Sequence, residues 1–194
     1  TIVSLFKQDI KFATAVNSLF STVRYIEKNM PQVQSVESQE QVHDTGIKCI
    51  THRDGVVLEF GVFSGHTINY IAKKLPSFKI YGFDSFEGLP EFWRDGFPKR
   101  TFALTELPNV QENVTLIKGW FSETLQKFQL DKPIAYLHID CDLYSSTKTI
   151  FSYLKNYIIE GTVITFDEYF NYPGWKEGEF KAFKEFIGET KKEY

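Results

Sequence analysis

Apolar residues between Leu5 and Asn29 fall at helical spacing, with Phe6, Ile10, Ala13, Leu19, Val23 and Ile26 on one stripe. Pro31 predicts the stop near Asn29, because proline steers the residue before it out of helical backbone. The polar stretch PQVQSVESQEQ reads as a connector into a short helix that ends by Ile50, and HRDG (His52 to Gly55) reads as a turn. From there the pattern changes to short, nearly continuous apolar runs: Val56 to Val62, Lys79 to Asp84, Val114 to Gly119, Pro133 to Asp140 and Gly161 to Asp167. Segments of helical period lie between or after most of them: His66 to Leu75, Ser122 to Phe128, Ser145 to Ile158 and Lys176 to Ile187.

Strands that alternate with helices build βαβ units, and these give a parallel sheet covered by helices on both faces. The predicted fold class is therefore α/β, a three-layer Rossmann-like domain over residues 1–194, with 1–54 a helical segment and 55–194 the α/β core. Phe86 to Asn113 breaks the rhythm. A helix-poor stretch of that length inside a compact domain is usually functional, often a lid.

Composition narrows the function. The chain has 194 residues, enough for one sizeable core, and a net charge of −3, which gives no electrostatic footprint for nucleic acid. No run approaches the roughly 18 apolar residues of a membrane span, and no secretory leader is evident. Cys49 and Cys141 form no framework, which favours a reducing cytoplasm, and each reads as a small buried hydrophobe. Nineteen Phe residues point to a Phe-rich core or an aromatic-lined pocket.

Four of the five predicted strands carry an acid at or near the carboxyl edge: Glu59, Asp84, Asp140 and Asp167. That is the edge where open parallel α/β sheets bind ligands. In EFGVFSGHT, Gly61 and Gly65 bracket a strand-to-helix turn in which a ligand can approach the backbone. The stretch is not GxGxxG, and no Lys-Ser/Thr follows to grip phosphate, which removes the basis for a dinucleotide oxidoreductase. Glu59 before the first glycine disfavours a pyrophosphate and favours a cation, while Asp84 can accept both hydroxyls of a ribose. A nucleoside with positive charge and no phosphate is S-adenosylmethionine.

LEFGVFSGHT, YGFDSFEGLP, KGWFSETL, LHIDCDLYSST and ITFDEY, in this order, resemble the macrocin O-methyltransferase (TylF) family of class I methyltransferases over roughly Val57 to Ile187. The resemblance implies an enzyme that needs S-adenosylmethionine and a divalent metal, usually Mg²⁺, and that methylates a hydroxyl of a sugar or other small molecule. Carried onto this chain, it implies that the turn Gly61, Val62, Phe63, Ser64 and Gly65 passes under the methionine moiety, with Glu59 behind it. Asp84 takes the ribose, with Ser85 and Phe86 beside it, and Gly119, Trp120 and Phe121 border the adenine. Asp140, which also borders the cofactor, holds the metal with Asp167 and Glu168, and Asp142 is the general base. The class I fold normally finishes with a β-hairpin, whereas ETKKEY leaves room for one short strand at most, so an incomplete hairpin and an exposed sheet edge are expected.

The remaining residues read more plainly. His66 is expected to be solvated at a helix start and His138 to lie in the core. Ser145 or Ser146 is expected to cap a helix. The first helix is read as scaffold or as the surface of a homodimer. Trp93, Arg94, Lys99 and Arg100 are either substrate contacts or parts of a solvated loop.

Overall fold

All five apolar runs form strands in the computed structural model, which describes residues 9–194. β1 (Val56–Phe60), β2 (Ile80–Asp84), β3 (Val114–Lys118), β4 (Ile134–Ile139) and β5 (Val163–Phe166) join one sheet of order β3-β2-β1-β4-β5, with every pairing parallel. Most strands end short of the predicted run. Gly61, Gly119, Asp140 and Asp167 leave the ladder at its carboxyl edge and open the loops there.

The helices follow the predicted order. α1 (Ile10–Asn29) stops ahead of Pro31 as expected and is capped by Asp9; its predicted first residues, Leu5 to Gln8, lie outside the described residues. α2 (Gln39–Lys48) starts at a Ser38 cap, and α3 (His66–Lys74) follows the glycine turn. α4 (Phe121–Thr124) is a single turn, shorter than predicted, as short helices gain little from each added residue. α5 (Tyr144–Leu154) opens without a side-chain cap, because Leu143 holds the cap position and the expected Ser145 and Ser146 lie inside the first turn, where Ser145 Oγ donates to Glu91 Oε1 of the long loop at 2.6 Å. The predicted last helix is split: a 3₁₀ turn (Trp175–Glu177) and α6 (Glu179–Thr190) meet at Gly178, whose φ and ψ are −97° and −136°.

Alternation along the strands divides the core between two faces. Val56, Leu58 and Phe60 of β1 pack with Ile150, Phe151 and Leu154 of α5 and Phe183 and Phe186 of α6. Val57 points the other way, among Ile68, Ile71 and Ala72 of α3. The result is the predicted three-layer, Rossmann-like α/β architecture, a parallel sheet with helices on both faces. No strand follows α6 among the described residues, so β5 is an edge, as expected.

The segment 86–113 contains neither helix nor strand, yet it is folded. Leu89 and Thr101 face one another, with Leu89 N donating to Thr101 O and Arg100 N to Leu89 O, each at 2.9 Å. One expectation fails nearby in the helical layer. Cys49 is exposed, because it occupies the α2 cap and it is the next residue, Ile50, that turns into the core.

Candidate active site

A cavity of about 520 Å³ opens at the carboxyl edge of the sheet. Its floor spans the switch point where β1 lies between β2 and β4, the place where α/β sheets bind ligands. Gly61, Phe63, Asp84 and Ser85 line one end, and Trp120 and Phe121 form an aromatic wall. Asp140, Asp142, Asp167 and Glu168 line the other end, and Trp93, Arg94 and Phe97 of the long loop cover it. Glu59, Val62 and Phe86 are buried behind these surfaces, while Ser64, Gly65 and Gly119 shape the turns.

Gly61 is required by contact. Its φ is +92°, and a Cβ there would stand 1.6 Å from the Asp140 carbonyl oxygen, so β1 and β4 can approach only with glycine at this point. Asp84 organises the same turn: Oδ2 accepts from Val62 N at 2.9 Å and Phe63 N at 2.8 Å, and Oδ1 accepts from Phe86 N at 2.7 Å. A carboxylate has about four lone-pair sites, so these three bonds leave room for a hydroxyl ligand. Asp84 thus builds the turn as well as facing the cavity, a role that the sequence reading did not foresee.

Glu59 is fully buried, and neither of its oxygens has a hydrogen-bond partner of normal geometry among the described residues. Burial raises its pKa well above the usual range, with Asp140 adding repulsion. An orphaned acid behind the glycine turn fits a ligand that brings positive charge.

The acids after β4 and β5 crowd one another. Burial, then Asp167, Asp142 and Glu168, pushes the Asp140 carboxyl up to about 8. Burial, Glu168 and Asp167 push Asp142 up to about 7, with Arg94 opposing the rise. Glu168 is raised by burial and lowered by Arg94, whose Nη2 donates to its Oε1 at 3.1 Å. The same guanidinium lies 3.9 Å from the Trp93 ring centre and 5.1 Å from that of Tyr172. Gln39 Nε2 donates to Asp167 Oδ1 at 2.8 Å. Among the described residues no group of three or more His, Cys, Asp and Glu is drawn together as a metal cage. The chemistry of the donor set nonetheless fits a hard cation: all are oxygen ligands, and their mutual repulsion is what a divalent ion relieves.

His138 is the core residue expected, with Nδ1 3.2 Å from Thr165 Oγ1 and a pKa lowered by burial to about 3. His66 is exposed, 3.8 Å from Glu40. Lys99 and Arg100 point to solvent, whereas Trp93 and Arg94 join the cavity. One buried acid escaped the sequence reading altogether: Glu179, the first residue of α6, whose Oε1 accepts from both Cys141 N and Asp142 N at 3.1 Å. Nothing local marks it, because it looks like an ordinary acid in the first turn of a helix.

Comparison with known proteins places this geometry. Residues 58–169 match the family described as Methyltransferase domain. Demethyldecarbamoylnovobiocin O-methyltransferase of Streptomyces niveus is 29% identical over 120 residues, which make up 51% of this chain and 45% of that protein. The match therefore spans less than half the length of that relative. Among solved structures, the calicheamicin methyltransferase CalS11 superposes with a TM-score of 0.64 at 22% identity, over 93% of this chain and 86% of its own. The O-methyltransferase NovP gives 0.60 at 21% identity, over 78% and 72%.

Proposed function

The chain belongs to the methyltransferase-domain family, and from that premise we propose that it is an S-adenosylmethionine-dependent O-methyltransferase acting on a hydroxyl of a sugar or other small natural product. The observation that carries the reading is that the strand order β3-β2-β1-β4-β5 sets the lining residues that follow β2 and β3 on one side of β1 and those that follow β4 and β5 on the other. An aromatic and glycine-lined end, with Asp84, suits a nucleoside, and an acidic end, with Asp142, suits an acceptor hydroxyl. The names of the relatives agree: the Streptomyces niveus protein is named a demethyldecarbamoylnovobiocin O-methyltransferase, and CalS11 is described as a TDP-rhamnose 3′-O-methyltransferase. Placement in the macrocin subgroup rests on the motif resemblance alone.

Bound S-adenosylmethionine supplies an electrophilic methyl group on sulfonium. The chain's own residues do the rest. Asp84 anchors the ribose, Trp120 and Phe121 flank the adenine, and the buried Glu59, held neutral by its burial while the site is empty, ionises only against the positive charge that the cofactor brings. Asp142 takes the proton of the acceptor hydroxyl; a base whose pKa is about 7 is partly ionised at neutral pH yet still holds a proton well. The long loop excludes water and aligns the reacting oxygen. Asp140, Asp167 and Glu168 would hold a divalent cation, probed first as Mg²⁺, whose chemistry is to lower the pKa of a bound hydroxyl. A metal-independent reading has one observation in its favour: Arg94 already supplies positive charge to Glu168. The reading also takes the chain as one cytoplasmic methyltransferase domain, with α1 available for a homodimer. Among the described residues no helix is long and apolar enough to cross a membrane.

The test is incubation with S-adenosylmethionine and hydroxylated acceptors, TDP-rhamnose and phenolic glycosides first, with Mg²⁺ or a chelator. The expected product gains one methyl group as S-adenosylhomocysteine is released. Cofactor binding with no methylated product from any acceptor would leave a binding protein. Equal rates in Mg²⁺ and chelator would select the metal-independent route.

A further inference from the structure

Asp142 can act as a base only if its carboxyl group enters the cavity in a fixed direction, and its backbone is an unusual one. Its φ is +65°, in the left-handed region that side-chain-bearing residues rarely adopt. The preceding peptide is tightly folded as well, with Leu143 N donating to Cys141 O at 2.6 Å. A turn of this kind points successive N–H groups to one side, forming a concave nest that binds an acceptor.

The acceptor is Glu179. Its Oε1 accepts from the amides of Cys141 and Asp142, at 3.1 Å each, which lie 38 and 37 positions earlier in the chain. Glu179 is completely buried, and its Oε2 has no partner among the described residues. A buried acid normally costs stability, and the first turn of a helix offers it free N–H groups nearby. This side chain leaves its own helix and reaches the strand loop instead. Trp175, 2% exposed, lies in the 3₁₀ turn that leads into α6, and Gly178 starts that helix with no room for a side chain, since a Cβ there would stand 2.3 Å from the Tyr172 hydroxyl oxygen. The position of Glu179 is therefore fixed from its own side as well.

We propose that Glu179 is the positioning residue for Asp142: it clasps the Cys141–Asp142 turn and so sets the direction in which the Asp142 carboxyl group enters the cavity. The proposal rests on the reading of Asp142 as the base, and it couples α6 to the chemistry after β4. Burial raises the Glu179 pKa well above the usual carboxylate range, so the neutral acid is favoured. The carbonyl oxygen of a neutral acid accepts two N–H groups as an amide oxygen would, which makes glutamine a faithful replacement and leucine a disabling one.

The experiment reads the turn directly by NMR on the full chain. In wild type and Glu179→Gln, the Cys141 and Asp142 amides are expected to be shifted downfield and protected from exchange, and Asp142 to keep the carbon shifts of a left-handed residue. In Glu179→Leu all three signatures are expected to be lost, while S-adenosylmethionine affinity, measured by calorimetry, stays unchanged. A leucine variant that retains the signatures overturns the assignment, and so does a glutamine variant that loses them. Should the leucine variant not fold, rapid exchange of either amide in wild type or Glu179→Gln overturns it equally. Failure of the base reading looks different: Asp142→Asn would keep the amide signatures and still transfer methyl at the wild-type rate.

Discussion

At the scale of the residue, the acids divide by what surrounds them. Asp142 has its carboxyl in the cavity and a pKa pushed up by burial and two neighbouring acids. Asp142→Asn should keep S-adenosylmethionine affinity and lower turnover by about 10²–10⁴-fold, the range for a lost general base. Asp140 makes a separate statement about stability. Its folded pKa, about 8, lies above the ordinary value, so the folded chain holds a proton that the unfolded chain has released. Stability present at low pH is therefore lost as pH climbs through that value. His43 and His138, lowered by burial, act in the opposite sense, but their effect is complete by about pH 6.5. Urea unfolding of the ligand-free protein should show stability falling between about pH 6.5 and 8, by up to about 1.4 kcal/mol per pH unit for each such proton, with the Asp140 contribution levelling off above that range. Asp142, Glu59 and Glu179, also raised by burial, add to the slope, so Asp140→Asn should reduce it without abolishing it; an unchanged slope would show that Asp140 does not contribute. Asp84, Asp140 and Asp167 were legible in the sequence because each closes a short apolar run, whereas Asp142 entered only through the motif resemblance. Glu179 was not, since its partners lie 37 and 38 residues away and nothing local distinguishes it.

At the scale of the element, the alternation of strand and helix was legible because periodicity is a local property of the chain. What failed were features decided by contacts between elements. The pattern places the α5 cap at Ser145 or Ser146, whereas Leu143 holds that position, and it runs the last helix through the Gly178 break. The long loop was legible as a lid only in outline, because its closing contact joins Arg94 to Glu168 across 74 residues. That contact yields a prediction. Arg94→Ala removes an ion pair and the guanidinium packing on Trp93 and Tyr172, so trypsin should cut at Lys99 or Arg100 faster than in wild type. S-adenosylmethionine with an acceptor analogue should slow the cut in wild type. Cleavage that is unaffected by either change would mean that the loop does not close over the cavity. The α5–α6 layer offers a contrasting case: Phe151 stacks on Phe186 with centroids 4.5 Å apart. Phe151→Ala should cost about 3–5 kcal/mol in denaturant unfolding through the cavity it leaves.

At the scale of the whole molecule, one sheet edge gathers the groups to which the proposed chemistry is assigned. Parallel strands point all their carboxyl ends the same way, so acids scattered over more than a hundred residues of sequence converge on one cavity. α6 reaches back to that edge through Glu179, and the long loop meets it through the Arg94–Glu168 contact. The central claim is that this cavity binds S-adenosylmethionine, with Asp84 at the ribose and the acids after β4 and β5 left for acceptor and cation. Titration calorimetry tests it most directly, with S-adenosylmethionine added to wild type, Asp84→Ala and Asp167→Asn. The account predicts saturable binding by wild type and Asp167→Asn and none by a folded Asp84→Ala. Absence of binding to wild type, or equal affinity in all three proteins, would contradict it.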